Sequence, residues 1–314
     1  MTKGADHKTA EREKRNNEDM SCCCLCPREC RADRRAGQAG RCGMTDQLVV
    51  ARAALHMWEE PCITGRGGSG TVFFSGCALG CVYCQNHEIA AGHAGKQISV
   101  ERLAEIFLEL QAKGAENINL VTAGHFLPQV RKALGLAKAQ GLTLPVVYNT
   151  GGYEKREAVC SLEGLVDVYL PDLKYMSPEL ASRYSHAPDY FEVASQALAQ
   201  MVEQTGPPVF DERGMMTKGV IVRHLQLPGC LEDSRRVIRY LYETYGDDIY
   251  ISIMNQYTPL PQTAPWPELC RRLTEEEYEE LVDYAIGLGV ENGFIQEGET
   301  AQESFIPPFD AEGV

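Results

Sequence analysis

The chain has 314 residues, is 44% hydrophobic and carries a formal net charge of −14. That length and apolar content suffice to bury a large core as one α/β domain with a small appendage. The charge excludes a typical nucleic-acid binder, whose phosphate affinity comes from clustered Lys and Arg, and no apolar run reaches the ~18–20 residues that span a bilayer.

Taken in chain order, residues 1–21 are polar, lack the apolar centre of a signal peptide and read as a disordered lead-in. A cytoplasmic location is the expectation. Thirteen cysteines then argue for metal or redox chemistry over a disulfide framework. Residues 22–66 form a cysteine-rich module and connector, in which Cys23, Cys26, Cys30 and Cys42 give a C-x2-C-x3-C-x11-C set. Four thiolates can close a second metal site, as zinc or as an auxiliary iron–sulfur cluster, with free thiols as the remaining alternative. Arg28, Arg31, Arg34, Arg35 and Arg41 read as a solvated basic face.

From 67 to 300 strand-like and helix-like segments alternate, before a tail over 301–314 that wraps the surface or is disordered. Strands are expected at 70–76, 117–123, 144–150, 166–172, 219–227 and 248–255, with a short last one at Gly293–Gln296. Helices are expected from Val100, with Ser99 as N-cap, and at 127–140, 191–204, 232–245 and 274–288. The Gly65–Gly70 run precedes a strand and so reads as a turn, not a phosphate loop. Cys62, Cys160, Cys230 and Cys270 are expected in the core. Strands separated by helices imply a parallel sheet with right-handed crossovers, hence a partial or full (β/α) barrel with its chemistry at the C-terminal strand ends.

Directly after the first of these strands comes Gly76-Cys-Ala-Leu-Gly-Cys-Val-Tyr-Cys-Gln-Asn86. Cys77, Cys81 and Cys84, spaced x3 then x2, can hold three corners of a [4Fe–4S] cluster and leave the fourth iron without a protein ligand. The competing readings are buried structural thiols, or a zinc site completed by His87. Gly76 and Gly80 let the backbone approach such a cluster closely.

This cysteine run, with Tyr83 before its last cysteine, resembles the signature of the radical S-adenosylmethionine (SAM) superfamily. From Cys23 to Glu297 the chain resembles the branch around pyruvate formate-lyase activating enzyme, in particular relatives with a cysteine-rich N-terminus. The resemblance implies that SAM chelates the open iron through its amino and carboxylate groups. An electron from the cluster, supplied by a donor such as flavodoxin or ferredoxin, then cleaves SAM to a 5′-deoxyadenosyl radical. In that branch the radical takes hydrogen from a glycine of a partner enzyme, so a protein or peptide substrate is implied.

The other strand ends carry the remaining candidates. Thr122, Gly124 and His125 occupy the stretch where the activating enzymes have Gly-Gly-Glu against the SAM amino group; here the acid is missing. Asn149 and Thr150 resemble the Thr-Asn-Gly stretch that bonds the SAM ribose and carboxylate. Asp172 and Lys174, alternating on one side of an extended segment, resemble the active-site acid and lysine. Arg223 suits the SAM carboxylate, with His224 second on the opposite face. Asn255, Gln256 and Tyr257 close the sixth strand. Two alternatives stand beside activation of a glycyl-radical enzyme: radical modification of another peptide side chain or small metabolite, and a non-enzymatic iron–sulfur electron-transfer protein.

Overall fold

The computed structural model describes residues 20–296 and 307–314. Residues 1–19 of the expected lead-in and 301–306 of the expected tail lie outside the described residues. The strands are β1 Val49–His56, β2 Ser69–Phe74, β3 Lys96–Gln97, β4 Ile118–Val121, β5 Val146–Thr150, β6 Val168–Pro171, β7 Val209–Phe210, β8 Met216–Leu225, β9 Tyr250–Met254 and β10 Gly293–Ile295. Their order across the sheet is β10-β9-β8-β6-β5-β4-β2-β1-β3, with β7 paired to β8 at the side.

All seven expected strands form, and from β2 through β10 they run parallel along that path. The crossovers carry the expected helices, at Val100–Ala112, Leu127–Ala139, Tyr190–Thr205, Leu231–Tyr245 and Glu275–Leu288. Every residue of β2, β4, β5 and β6 is buried, as expected for parallel strands covered on both faces. The helix from Val100 starts as its sequence dictates: Ser99 Oγ accepts from the Arg102 amide at 3.1 Å. Its Leu103, Ile106, Phe107 and Leu110 recur on one face and are fully buried.

Among the described residues the sheet does not close, because β10 and β3 end the path without meeting. The barrel is therefore partial. Three strands were not anticipated: β1 and the two-residue β3 and β7. β1 lies in the connector and pairs antiparallel with β2, its alanine-rich Val-Val-Ala-Arg-Ala-Ala-Leu-His giving no clear period-2 signal. The described part of the tail lies along it, with Ala53 N donating to Glu312 O and Ala311 N to Ala51 O.

Three expectations are corrected. The basic face is solvated only at Arg31, Arg35 and Arg41, because Arg34 is fully buried. Its guanidinium donates to the carbonyls of Thr45 and His125 and lies 5.5 Å over the Phe126 ring. Carbonyl acceptors and an aromatic face thus replace lost hydration. Arg28 is half-buried between two loops. Cys160 and Cys270 are exposed, not core; Cys62 is buried. His87 is exposed at the start of a short helix, Asn86 preceding it, and does not face the site below.

Candidate active site

Parallel register brings the strand ends level. Phe73 stands opposite Val121, Val121 opposite Asn149, and Thr150 opposite Pro171, while Asp172 bridges to Arg223 on β8. Residues just past these positions line a cavity of about 250 Å³. Cys77, Cys81, Cys84 and Tyr83 from the loop after β2 line it, as do Thr122 and His125 after β4. So do Asn149 and Thr150 of β5, Asp172 and Lys174 after β6, and Arg223 of β8. Cys77 and Arg223, 146 positions apart in the chain, thus line one cavity. His224, on the opposite face, is buried away from it, with Nδ1 2.7 Å from the Leu173 carbonyl. Of the last candidates only Gln256 lines the cavity; Tyr257 is buried with its hydroxyl donating to Leu269 O.

The cavity is charged by a connected network. Lys174 Nζ donates to Asp172 Oδ2 at 2.6 Å, and Arg223 Nε lies 3.2 Å from Asp172 Oδ1. Arg223 Nη1 reaches Glu59 Oε2 at 3.1 Å, and Nη2 donates to Asn149 Oδ1 at 2.6 Å. Asn119 and Asn149 both donate to Glu59 Oε1. Burial alone would push the Asp172 carboxyl up, but the Lys174 ammonium and Arg223 guanidinium override it and hold it below the ordinary range. Burial likewise disfavours the charged Lys174, and Asp172 outweighs it, so its pKa is raised. Both ions are therefore kept charged by each other. Glu59 was not found from the sequence, since it belongs to no motif and reaches the network only through the connection that follows β1.

His125 is placed at the site but anchored. Its ring Nε2 is 2.7 Å from the Ser75 carbonyl, and burial lowers its pKa to about 4. The neutral ring ties the β4 end to the β2 end. Thr122 adopts φ 60°, a left-handed conformation that a β-branched residue rarely takes. Its amide donates to the Asn149 carbonyl, which fixes the strained turn against β5.

The cysteine loop is held from three sides. Ser185 Oγ donates to Cys81 Sγ at 2.9 Å, and Tyr175 donates to Tyr83 at 2.6 Å. Cys77 N donates to Cys42 O. Arg28 donates to the carbonyls of Ala78, Leu79, Ser185 and His186. Gly76, at φ 90°, passes so close to the N-terminal module that a Cβ there would stand 2.7 Å from Cys42 O. Sequence reading also missed Tyr175, Ser185 and Glu154, none of which carries a recognisable spacing.

The residues fit an iron–sulfur cluster better than a single ion. Among the described residues no three His, Cys, Asp or Glu side chains are gathered to hold one metal ion. Cys77, Cys81 and Cys84 nonetheless face one cavity with no protein carboxylate or imidazole closing the set. Each corner of a cubic cluster binds a separate iron, so its thiolates stand further apart than those on one ion. In the N-terminal module Cys26 faces this same cavity, while Cys30 and Cys42 flank Gly40 and Cys23 lies 3.7 Å from Arg34 Nη1.

Such a fold, an open parallel sheet with cysteines and a polar network at its C-terminal strand ends, is a partial (β/α) barrel with its cavity where barrel proteins carry their sites. Residues 71–217 match the model of the radical SAM superfamily. The uncharacterised protein MJ0674 of Methanocaldococcus jannaschii is 28% identical over 270 residues, covering 84% of this chain and 74% of that one. A Haemophilus influenzae protein provisionally named a glycyl-radical enzyme activating enzyme is 32% identical over 119 residues, 36% of this chain and 43% of that one. Among solved structures, SuiB of Streptococcus suis bound to precursor peptide SuiA is similar at TM-score 0.45 and 10% identity, over 71% of this chain and 47% of SuiB. The chain spans less than half the length of these last two. Among the described residues no helix is long and apolar enough to cross a membrane.

Proposed function

We propose that this protein is a radical SAM enzyme in which Cys77, Cys81 and Cys84 hold a [4Fe–4S] cluster and SAM occupies the adjoining cavity. One observation carries the reading: the three cysteines and the polar ends of β4, β5, β6 and β8 line a single cavity. When bound, the cluster supplies the electron that splits SAM to methionine and a 5′-deoxyadenosyl radical, which abstracts hydrogen from the substrate.

The chain's own residues position and shield. Asn149 and Thr150 offer acceptors and donors suited to ribose hydroxyls. Arg223, oriented by Asp172, Glu59 and Asn149, offers a planar fork suited to the SAM carboxylate. Asp172 and Lys174 are the residues assigned to the reacting end of the cavity. Tyr83 packs the cysteine loop against Tyr257, ring centroids 6.3 Å apart. The Arg28 clamp closes the N-terminal module over that loop and helps keep water out.

For substrate, the name of the Haemophilus relative supports hydrogen abstraction from a glycine of a partner protein; a cytoplasmic setting and a flavodoxin or ferredoxin donor are part of the same proposal. The N-terminal thiols are assigned a structural role. Anaerobically reconstituted protein with dithionite should convert SAM to 5′-deoxyadenosine, and Cys81→Ala should abolish it. A loaded cluster without turnover would reject the enzyme reading. A carbon-centred EPR signal in the partner protein tests the glycine.

A further inference from the structure

The stretch after β4 has no acid at 122–125, yet a carboxylate stands there. Glu154, from the loop after β5, is 7% exposed and lines the cavity beside Thr122, Gly124 and Thr150. Its Oε1 accepts from Thr150 Oγ1 at 2.7 Å and from the Tyr148 hydroxyl at 3.2 Å. Both partners are neutral. Among the described residues no Lys or Arg pairs with it, although a buried carboxylate ordinarily has a cation or several donors. The second oxygen, Oε2, takes part in no hydrogen bond with a described residue.

The backbone has made room for this group. A Cβ at Gly124 would stand 2.6 Å from Glu154 Oε1 and 2.7 Å from Oε2, so only glycine leaves the carboxylate in place. Next to it, Thr122 holds its left-handed turn. A strained turn and an under-partnered buried acid on one cavity wall are together the mark of a binding subsite.

We infer that Glu154 binds the amino group of SAM, so that the acid absent from the β4 loop is supplied by the β5 loop. The assignment rests on the SAM reading of the cavity. Of the N–H donors on SAM, the amino group of the methionine moiety is the one that can carry a positive charge and so complement a lone carboxylate oxygen, while Arg223 and Lys174 line the same cavity and suit its carboxylate. Gln in place of Glu154 keeps an oxygen for Thr150 and Tyr148 but loses the charge.

Equilibrium dialysis on reconstituted protein, with iron content matched between variants, decides it using SAM and its analogue lacking the amino group. Glu154→Gln should weaken SAM binding roughly 10–100-fold, the loss of one charge-assisted hydrogen bond, and leave binding of the analogue unchanged. If Glu154→Gln fails to load iron, Glu154→Asp should show the same selective loss to a smaller degree. Equal loss for both ligands, or no loss for either, overturns the assignment while wild-type SAM binding upholds the cavity. Wild-type protein that binds neither ligand overturns the SAM reading and this assignment together.

Discussion

Arg28 Nε donates to the Ala78 carbonyl at 2.9 Å, joining residues 50 apart in the chain. The same guanidinium reaches Leu79, Ser185 and His186, and it stacks 5.1 Å over Tyr153. A residue of the N-terminal module thereby pins the cysteine loop to the helix Pro178–Ser185. Arg28→Ala should speed loss of iron from reconstituted protein to a chelator by roughly 10-fold, since a hydrogen bond from a charged donor is worth about 1.5–3 kcal/mol. An unchanged release rate would show that the clamp does not hold the loop.

Arg34 acts deeper. Its removal leaves the Thr45 and His125 carbonyls without their donor in a dry interior. Arg34→Met should cost about 3 kcal/mol of stability, from one to three per unsatisfied acceptor, read as a lowered urea midpoint. Arg34→Lys should recover only part, because one ammonium cannot follow the guanidinium fork.

Asp172, Lys174 and Arg223 form a coupled set. Asp172→Asn removes the carboxylate that Lys174 and Arg223 share and leaves Arg223 paired with Glu59, so 5′-deoxyadenosine formation should fall at least ~10-fold and stability by about 3 kcal/mol. A double-mutant cycle with Lys174→Met should return a coupling of about 1–3 kcal/mol. Additive effects would mean that the 2.6 Å pair contributes nothing of its own.

Acid should destabilise the fold through its buried histidines. Burial lowers the pKa of His125 and of His224 from 6.5 to about 4. The unfolded chain therefore takes up protons near pH 6.5 that the folded protein refuses until about pH 4. Stability is full above that window, falls as pH drops through it and levels off below. At 1.36 kcal/mol per pH unit each site accounts for at most about 3 kcal/mol. His224→Asn, which can still donate to the Leu173 carbonyl, should lose less in urea midpoint between pH 7 and pH 5 than wild type does.

Metal counting addresses the thirteen cysteines. Protein purified and reconstituted without oxygen should hold about four irons per chain, and about eight would place a second cluster at the N-terminus. The Cys77→Ala, Cys81→Ala, Cys84→Ala triple variant should hold neither iron nor stoichiometric zinc. The module around Arg34 is already secured by hydrogen bonds and by the buried cluster of Met20, Cys23 and Leu25.

The sequence by itself determined the alternating elements, the cysteine motif and the strand ends that meet at one cavity. Hydrophobic period and cysteine spacing are local quantities, so they are written in the chain's order. Parallel register then aligns whatever follows each strand. Tertiary structure alone decided the rest. Glu59 and Glu154 are ordinary acids in sequence and become site residues only through the connections that carry them, after β1 and after β5. Arg28 and Arg34 look like surface charge until the cysteine module folds against the sheet. A side chain's electrostatic role depends on what surrounds it after long-range contacts form, and no spacing along the chain encodes that.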